Sequence, residues 1–218
     1  MSKKALNQNS KYVQGLTDFI EPDFIFNNKP INRLKTLNND TSEDKIRKLQ
    51  ELKNKIYSIE NCKIKNNSKN IVMGDGNVDS PLMLIGESPG EIEDLSGISF
   101  GGETGSLLKK MLLAIGINRK KIYTTYSINF RPPSDRKPTS QEIKRYSLFL
   151  KEHISIINPK LIVLMGSTAM EAVTGLNTKI SDERGDWKEI ILNNKTFPLM
   201  ISFSPSYLIR YPNNKKYS

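Results

Sequence analysis

Two short stretches decide the fold: residues 82–90 read LMLIGESPG, and residues 161–168 read LIVLMGST. In each, a compact apolar run ends at a glycine, Gly86 in the first and Gly166 in the second. Uninterrupted apolar runs bounded by turn residues are typical of strands that are buried on both faces of a parallel sheet. The two stretches therefore predict buried parallel strands, each followed by a polar loop.

Helical patterns alternate with these strands. Thr41 with Asp44, and Thr139 with Glu142, have capping-box spacing, which predicts one helix ending before Cys62 and another running through Ile157. Further segments complete the pattern: helices over 107–115 and 167–173, a strand over 122–128, and a hairpin formed by 187–192 and 197–203. The alternation predicts an α/β fold, with helices on both faces of a mainly parallel sheet. We predict that residues 1–41 form a polar arm and that residues 42–218 form the folded domain.

Composition limits the function classes. The chain has 218 residues, and 33 Lys and Arg against 23 Asp and Glu give a net charge of +10, which favours a polyanionic partner, nucleic acid first. The alternative is a Lys- and Asn-rich surface that reflects compositional bias alone. Single copies of Cys62 and His153 exclude a disulfide framework and a Cys-based metal site. With no apolar run near the roughly 20 residues of a membrane span and no signal-peptide pattern, we expect an intracellular, cytoplasmic protein.

Polar loops follow four of the predicted strands. Ligands of open parallel sheets bind beyond the carboxyl ends of the strands, so these loops are expected to meet at one rim. They comprise residues 86–90, 129–133, 166–168 and 202–207. The rim is the predicted functional site.

The sequence contains a serine-hydrolase motif without the other groups that this chemistry needs. Gly86 to Gly90 satisfies the G-x-S-x-G pattern, but Pro89 follows Ser88 and has no backbone N–H to donate to an oxyanion. The only candidate base, His153, falls within a predicted helix, where we expect an ordinary, partly exposed histidine. The residues therefore disfavour a serine hydrolase.

Two further loops carry binding signals. The glycine-rich stretch 97–105 leads into a helix, and either holds a phosphate on its backbone N–H groups or is a flexible connection. Phe100, an aromatic among glycines, favours stacking on a planar ligand. The stiff loop with Arg131 and Arg136, and the last loop with Tyr207 and Arg210, suit a sugar-phosphate backbone or are solvated surface loops.

Taken together, these motifs resemble the family 4 uracil-DNA glycosylases over roughly residues 45–218. The resemblance rests on the order and spacing of Gly86-Glu87-Ser88-Pro89-Gly90, Glu93-Asp94, Gly97, Phe100, Gly105, Arg131-Pro132-Pro133, Arg136, Pro138-Thr139, Arg184-Gly185, Pro205, Tyr207-Leu208 and Arg210. It implies a three-layer α/β/α sandwich with a mainly parallel sheet. It also implies an enzyme that flips uracil out of DNA and hydrolyses its N-glycosidic bond in base excision repair. We expect the protein to be a monomer.

The resemblance also implies roles for individual residues. Glu87 matches the water-activating position, Phe100 the aromatic that stacks on the base, and residues 205–210 the loop that wedges into the duplex. The predicted catalytic residues are Glu87 and Ser204. The predicted base-binding residues are Gly86, Ser88, Asp94, Phe100, Tyr126 and Asn129. The predicted DNA-binding residues are Arg131, Arg136, Pro205, Ser206, Tyr207 and Arg210.

Three departures from the family pattern bear on activity. Only Cys62 matches one of the four cysteines of the family's iron-sulphur cluster, with Ile59, Phe130 and Tyr146 at the other positions, so we predict no cluster and no metal. Tyr126 replaces the Asn that reads uracil, and Asn129 is a candidate substitute for that amide. Ser204 replaces the His that stabilises the leaving base. The prediction is a cluster-free uracil-DNA glycosylase that is either slow or shifted to a related deaminated base. The alternative is a non-catalytic DNA-binding relative in which Tyr126 plugs the pocket.

Overall fold

The computed structural model describes residues 40–218, so the predicted arm lies outside the described residues except for its last two positions. The strands are β1 Asp75–Gly76, β2 Leu82–Gly86, β3 Tyr123–Tyr126, β4 Leu161–Met165, β5 Trp187–Leu192 and β6 Lys195–Ser202. The α-helices are α1 Ser42–Tyr57, α2 Lys63–Asn67, α3 Glu91–Ser96, α4 Gly102–Ala114, α5 Ser140–Ile157, α6 Ser167–Thr174, α7 Ile180–Glu183 and α8 Pro205–Arg210. Short 3-10 turns cover Arg119–Lys121, Pro133–Asp135 and Pro212–Tyr217.

The strands form one six-stranded sheet in the order β1-β3-β2-β4-β6-β5. The four inner strands are parallel, and an antiparallel strand closes each edge. This confirms the predicted mainly parallel sheet. Gly86 pairs with Tyr126, and Met165 pairs with Ser202, so the inner strands end close to one level. The loops that follow these strands therefore start at the same end of the sheet, at the carboxyl ends of the strands.

Helices cover both faces of the sheet. Met83 and Ile85 of β2 pack with α1, α5 and α6 in one buried cluster, whereas Leu84 packs with α4 in the other. This division follows from the alternation of side chains along a strand. The result is the predicted three-layer sandwich. Among residues 40–218, no helix is long and apolar enough to span a bilayer.

Local signals located most helix ends. Thr41 and Thr139 both form the predicted capping boxes. Helix α4, however, begins at Gly102, earlier than predicted, and takes in Gly105. A side chain at Gly105 would place its Cβ 1.9 Å from the Phe100 carbonyl oxygen, so glycine permits the close contact between this helix and the loop before it.

The C-terminal hairpin forms the β5 edge of the sheet. Asn193 and Asn194 both adopt positive φ, at 50° and 61°, as a tight two-residue hairpin turn requires. Along β5 exposed and half-buried side chains alternate, and Trp187 is 62% exposed. The prediction of a hairpin in this part of the chain is confirmed.

His153 corrects one prediction. It is buried rather than partly exposed, with 1% of its surface accessible, and its Nε2 lies 2.9 Å from the Tyr123 hydroxyl. Burial lowers the pKa of His153 to about 4, so the ring is neutral at physiological pH. This histidine belongs to the core and not to a site.

The positions that match the family's cluster cysteines come together in the core. The Cys62 thiol lies 3.3 Å from the Tyr146 hydroxyl, and the Tyr146 ring meets the Phe130 ring edge-on, with centroids 6.3 Å apart. Ile59 packs against the same cluster. One buried thiol beside two aromatic rings does not fit an iron-sulphur cluster, which needs four thiolates. Within the part of the chain that the structure describes, no group of three or more His, Cys, Asp or Glu side chains could hold a metal ion.

Candidate active site

The loops at the carboxyl ends of the inner strands enclose a cleft of about 560 Å³. Its walls come from the loops after β2, β3, β4 and β6, together with the start of α4. The lining residues are Gly86 to Gly90, Glu93, Phe100, Thr104, Tyr126, Asp135 to Pro138, Ser167, Thr168, Ser204 to Tyr207 and Arg210. The structure thus brings three of the four predicted loops to one rim, whereas the segment after β3 contributes Asp135 to Pro138 and not the predicted residues 129–133.

Glu87 is the carboxylate at the centre of this rim. Its Oε1 accepts hydrogen bonds from the Thr168 backbone N–H at 3.2 Å and from the Ser167 hydroxyl at 3.4 Å. Both donors lie in the first turn of α6, where backbone N–H groups have no acceptor within the helix. Gly166 makes the approach possible: it has φ 110°, and a Cβ there would lie 2.3 Å from Glu87 Cδ. The end of β4 therefore holds Glu87 in place.

Two stacked aromatic rings form the far end of the cleft. Phe100 and Tyr126 have centroids 4.8 Å apart and planes at 26°, and both rings are buried. They press on the backbone of Gly86, where a Cβ would come within 2.8 Å of either ring. Phe100 was expected to offer its face to a planar ligand. Tyr126 covers one face of that ring.

The Tyr126 hydroxyl is already engaged. It accepts a hydrogen bond from the Phe100 backbone N–H at 3.1 Å and donates to Glu93 Oε1 at 3.3 Å. Burial raises the pKa of the Tyr126 hydroxyl far above its usual value, so it remains protonated. The phenol therefore does not offer the free donor and acceptor pair that an amide would present here.

Glu93 is a site residue to which the sequence analysis gave no role. Its carboxylate is buried and accepts hydrogen bonds from Gly90 N–H at 3.0 Å, Gly101 N–H at 2.9 Å, Thr104 hydroxyl at 3.2 Å and Tyr126 hydroxyl at 3.3 Å. It thereby joins the starts of α3 and α4 to the aromatic pair. The available signal was its capping-box spacing from Gly90. Since Glu93 occupies the Gly101 N–H, the phosphate alternative for the glycine-rich stretch is not supported.

Ser204 lies in the cleft and caps a helix. Its hydroxyl accepts from the Tyr207 N–H at 3.3 Å, as the N-cap of α8, and lies 3.1 Å from the Ser206 hydroxyl. Pro205 occupies the first position of α8, where a missing N–H costs nothing. Capping leaves the hydroxyl proton of Ser204 available as a donor.

Two predicted base-binding residues do not line the cleft. The Asp94 carboxylate accepts from the backbone N–H groups of Lys69 at 2.9 Å and Asn70 at 3.1 Å, so it fixes the preceding loop. The Asn129 amide is buried and donates to the Val72 carbonyl at 3.0 Å. Their role in base binding stays a prediction, and in this arrangement the Asn129 amide does not reach the position of the missing amide.

Ion pairs engage both arginines of the basic loop. Arg131 forms a two-point contact with Asp135, at 2.7 and 2.9 Å, and it does not line the cleft. Arg136 lines the cleft but makes a similar contact with Glu142, at 2.7 and 2.8 Å. The Arg136 guanidinium lowers the pKa of Glu142 to about 2. Both predicted DNA contacts are thus already paired with carboxylates.

The environment of Tyr207 differs from that expected for a residue that wedges into DNA. Its ring lies between Phe203, at 4.8 Å, and Tyr211, at 4.9 Å, and its hydroxyl accepts a hydrogen bond from the Asn214 amide at 2.9 Å. It is therefore held in an aromatic column, whereas the resemblance implied a wedge that enters the duplex. Ser206 and Arg210 line the cleft beside it.

Comparison with known proteins links this geometry to a family. The family model described as the uracil DNA glycosylase superfamily matches residues 73–218. The type-4 uracil-DNA glycosylase of Thermotoga maritima is 38% identical over 155 residues, which cover 71% of this chain and 79% of the relative. The corresponding protein of Sulfurisphaera tokodaii is 32% identical, with 77% and 79% covered, and that of Archaeoglobus fulgidus is 31% identical, with 75% and 84% covered.

Proposed function

The chain belongs to the uracil-DNA glycosylase superfamily, and on that basis we propose that it hydrolyses the N-glycosidic bond of uracil flipped out of DNA, as a repair glycosylase of the type-4 kind. The observation that carries the proposal is the anchored Glu87 carboxylate, at the centre of a cleft formed by four strand-end loops. The scissile bond is hidden in stacked DNA, so the nucleotide has to leave the stack to reach that carboxylate.

Glu87 performs the first chemical task. One carboxylate oxygen is held by α6, and the other makes no hydrogen bond to the described residues. That second oxygen accepts a proton from the attacking water and faces the positive charge that develops on the sugar. The contact with α6 fixes the position of the carboxylate, so its second oxygen is placed to act as the general base.

Ser204 stabilises the leaving base, but only weakly. The departing uracil carries negative charge, and the Ser204 hydroxyl donates a hydrogen bond towards it. The Ser206 hydroxyl, 3.1 Å away, competes for the Ser204 proton, so Ser204 is a weaker donor to the base than a group aimed at the base alone. Loss of an aimed donor typically costs about 10²–10³ in rate. We therefore propose a slow enzyme.

Shape selects the base in this proposal. The Tyr126 hydroxyl is bonded to Phe100 and Glu93, so it does not read the edge of uracil. The flipped base instead packs against the Phe100–Tyr126 pair, and the space that Tyr126 leaves limits its size. We also propose that the protein works without an iron-sulphur cluster, because Phe130 and Tyr146 fill the volume beside Cys62. Action as a monomer in the cytoplasm remains a prediction from the sequence.

An excision assay tests the proposal. Oligonucleotides with one uracil, single-stranded and duplex, are incubated with the protein and cleaved at abasic sites with alkali. We expect product from the wild type and a loss of at least 100-fold in the Glu87→Gln variant, which keeps the shape of the side chain. Glu91→Gln, which changes an exposed carboxylate on α3, is the matched control and is expected to keep wild-type activity.

Absence of product with either substrate, at enzyme in excess over DNA, would refute the proposed function. If the same protein bound the uracil oligonucleotide tightly without forming product, the result would instead support the alternative of a non-catalytic DNA-binding relative.

A further inference from the structure

A second groove, of about 660 Å³, runs beside the cleft and shares Lys137, Ser167 and Tyr207 with it. Its floor and walls come from the loop before α7, from Arg184 after that helix, and from the final 3-10 turn, which supplies Tyr217. A strand of DNA that leaves the cleft on this side enters the groove directly.

The charged side chains that line this groove are all basic. Lys137, Lys179 and Arg184 line it, and no acidic side chain does. None of these three cations belongs to an ion pair within residues 40–218, in contrast to Arg131 and Arg136. Lys215 and Lys216, in the same final turn as Tyr217, add to this field. Cations that carry no partner carboxylate are the ones free to meet phosphates.

Aromatic faces accompany these cations. The Arg184 guanidinium lies between two rings, 5.4 Å from the Phe203 centroid and 4.8 Å from the Tyr217 centroid. The column of Phe203 and Tyr207 ends at Tyr211, which is 55% exposed, and Tyr217 is 48% exposed. Exposed rings beside a cationic groove are the features on which unpaired bases stack. Duplex DNA offers no such base faces, because each base is covered by its neighbours.

We propose that this groove binds single-stranded DNA that flanks the flipped nucleotide. Phosphates contact Lys137 and Lys179. Lys216 Nζ lies 4.8 Å from the Tyr217 centroid, and an unpaired base displaces this lysine and stacks on the Tyr217 ring. The inference rests on the proposed function, since it assigns the groove to the strand that carries the base. It implies that the protein binds single-stranded DNA more tightly than duplex DNA of the same length.

Binding without chemistry tests the groove. Fluorescence anisotropy is measured with a labelled oligothymidylate of about 16 nucleotides, the upper end of common single-strand site sizes. We expect Lys179→Glu and Tyr217→Ala each to raise Kd by about tenfold or more, and Lys179→Glu to lower the slope of log Kd against log salt by about one unit. Lys179 is exposed, so its replacement removes no packing.

Lys160→Glu is the matched control, because this exposed lysine lies at the amino end of β4, whereas the cleft lies at the carboxyl ends of the inner strands. Thermal melts that match the wild type exclude misfolding as the cause of a lost affinity. Unchanged binding by both groove variants, or an equal loss in Lys160→Glu, would overturn the inference. The oligothymidylate contains no uracil, so this binding assay is independent of excision. If the wild type binds it through the groove but releases no uracil from the uracil-containing oligonucleotides, only the proposed function is contradicted.

Discussion

The Glu93→Gln variant tests how the cleft is held together. The side chain keeps its shape, but an amide replaces one carboxylate oxygen. Three donors converge on Oε1, from Gly101, Thr104 and Tyr126, whereas Gly90 donates to Oε2. The amide oxygen can keep the three donors, and its NH₂ group then confronts the Gly90 N–H. One backbone donor loses its acceptor, and three charge-assisted hydrogen bonds become neutral.

The cost follows from these contacts. An unsatisfied backbone N–H costs about 1–3 kcal/mol, and a neutral hydrogen bond has roughly half the strength of a charge-assisted one. Gly90 and Gly101 are only partly buried, so water replaces some of the loss. We expect the free energy of unfolding to fall by about 2 kcal/mol, a sizeable part of the roughly 5–15 kcal/mol of a typical domain. Excision should fall as well, since the hydrogen bond from Tyr126 to residue 93 becomes a weaker, neutral one.

Urea unfolding followed by far-UV circular dichroism measures this change. Glu91→Gln, on the same helix but with a 68% exposed side chain, should stay within about 0.5 kcal/mol of the wild type. A Glu93→Gln protein that also stayed within that margin would refute the reasoning, because four hydrogen bonds to one buried carboxylate would then contribute nothing measurable.

Three more changes have defined outcomes. Gly166→Ala forces a Cβ onto Glu87 at a positive φ, so we expect about 1–3 kcal/mol of destabilisation and at least a tenfold slower excision; wild-type kinetics would contradict this. Tyr126→Asn combined with Ser204→His should raise single-turnover excision by about 10²-fold, and an unchanged rate would show that the loss is not local to these positions. His153 is the only histidine, and its pKa falls from 6.5 to about 4 on folding; the unfolded chain therefore binds the extra proton, and stability should fall by about 3 kcal/mol as pH drops from 6.5 to 4. Urea titrations across this range check the last prediction, and a His153→Gln variant with the same pH slope would disprove it.

Local rules explain what the sequence predicted well. The capping boxes at Thr41 and Thr139 each depend on two residues three positions apart, so a pattern finds them. The apolar runs of β2 and β4 likewise carry their own signal, and parallel strands then bring Glu87 and Ser204 to one cleft. Fold and cleft could be predicted because each step needs only neighbouring residues and the geometry of a parallel sheet.

Long-range pairing explains what was missed. The role of Glu93 depends on donors from three separate segments, and no spacing in the sequence announces that they meet. Arg131 and Asp135 are only four residues apart, but their pairing depends on the irregular turn between them, which no motif in the sequence indicates. The cover that Tyr126 places over Phe100 depends on two backbones approaching at Gly86, which is a tertiary fact. The sequence shows that such residues are polar or aromatic, but it does not show which other residues they bond to or stack on in the fold.

The exposed position of Trp187 on the edge strand β5 has a practical consequence. It is the chain's single tryptophan, and its indole is 62% in solvent. Its emission should already resemble that of a hydrated indole in the native state, so unfolding will change the spectrum little. An acrylamide quencher will reach it in the folded protein, so tryptophan emission is a poor reporter of unfolding for this chain.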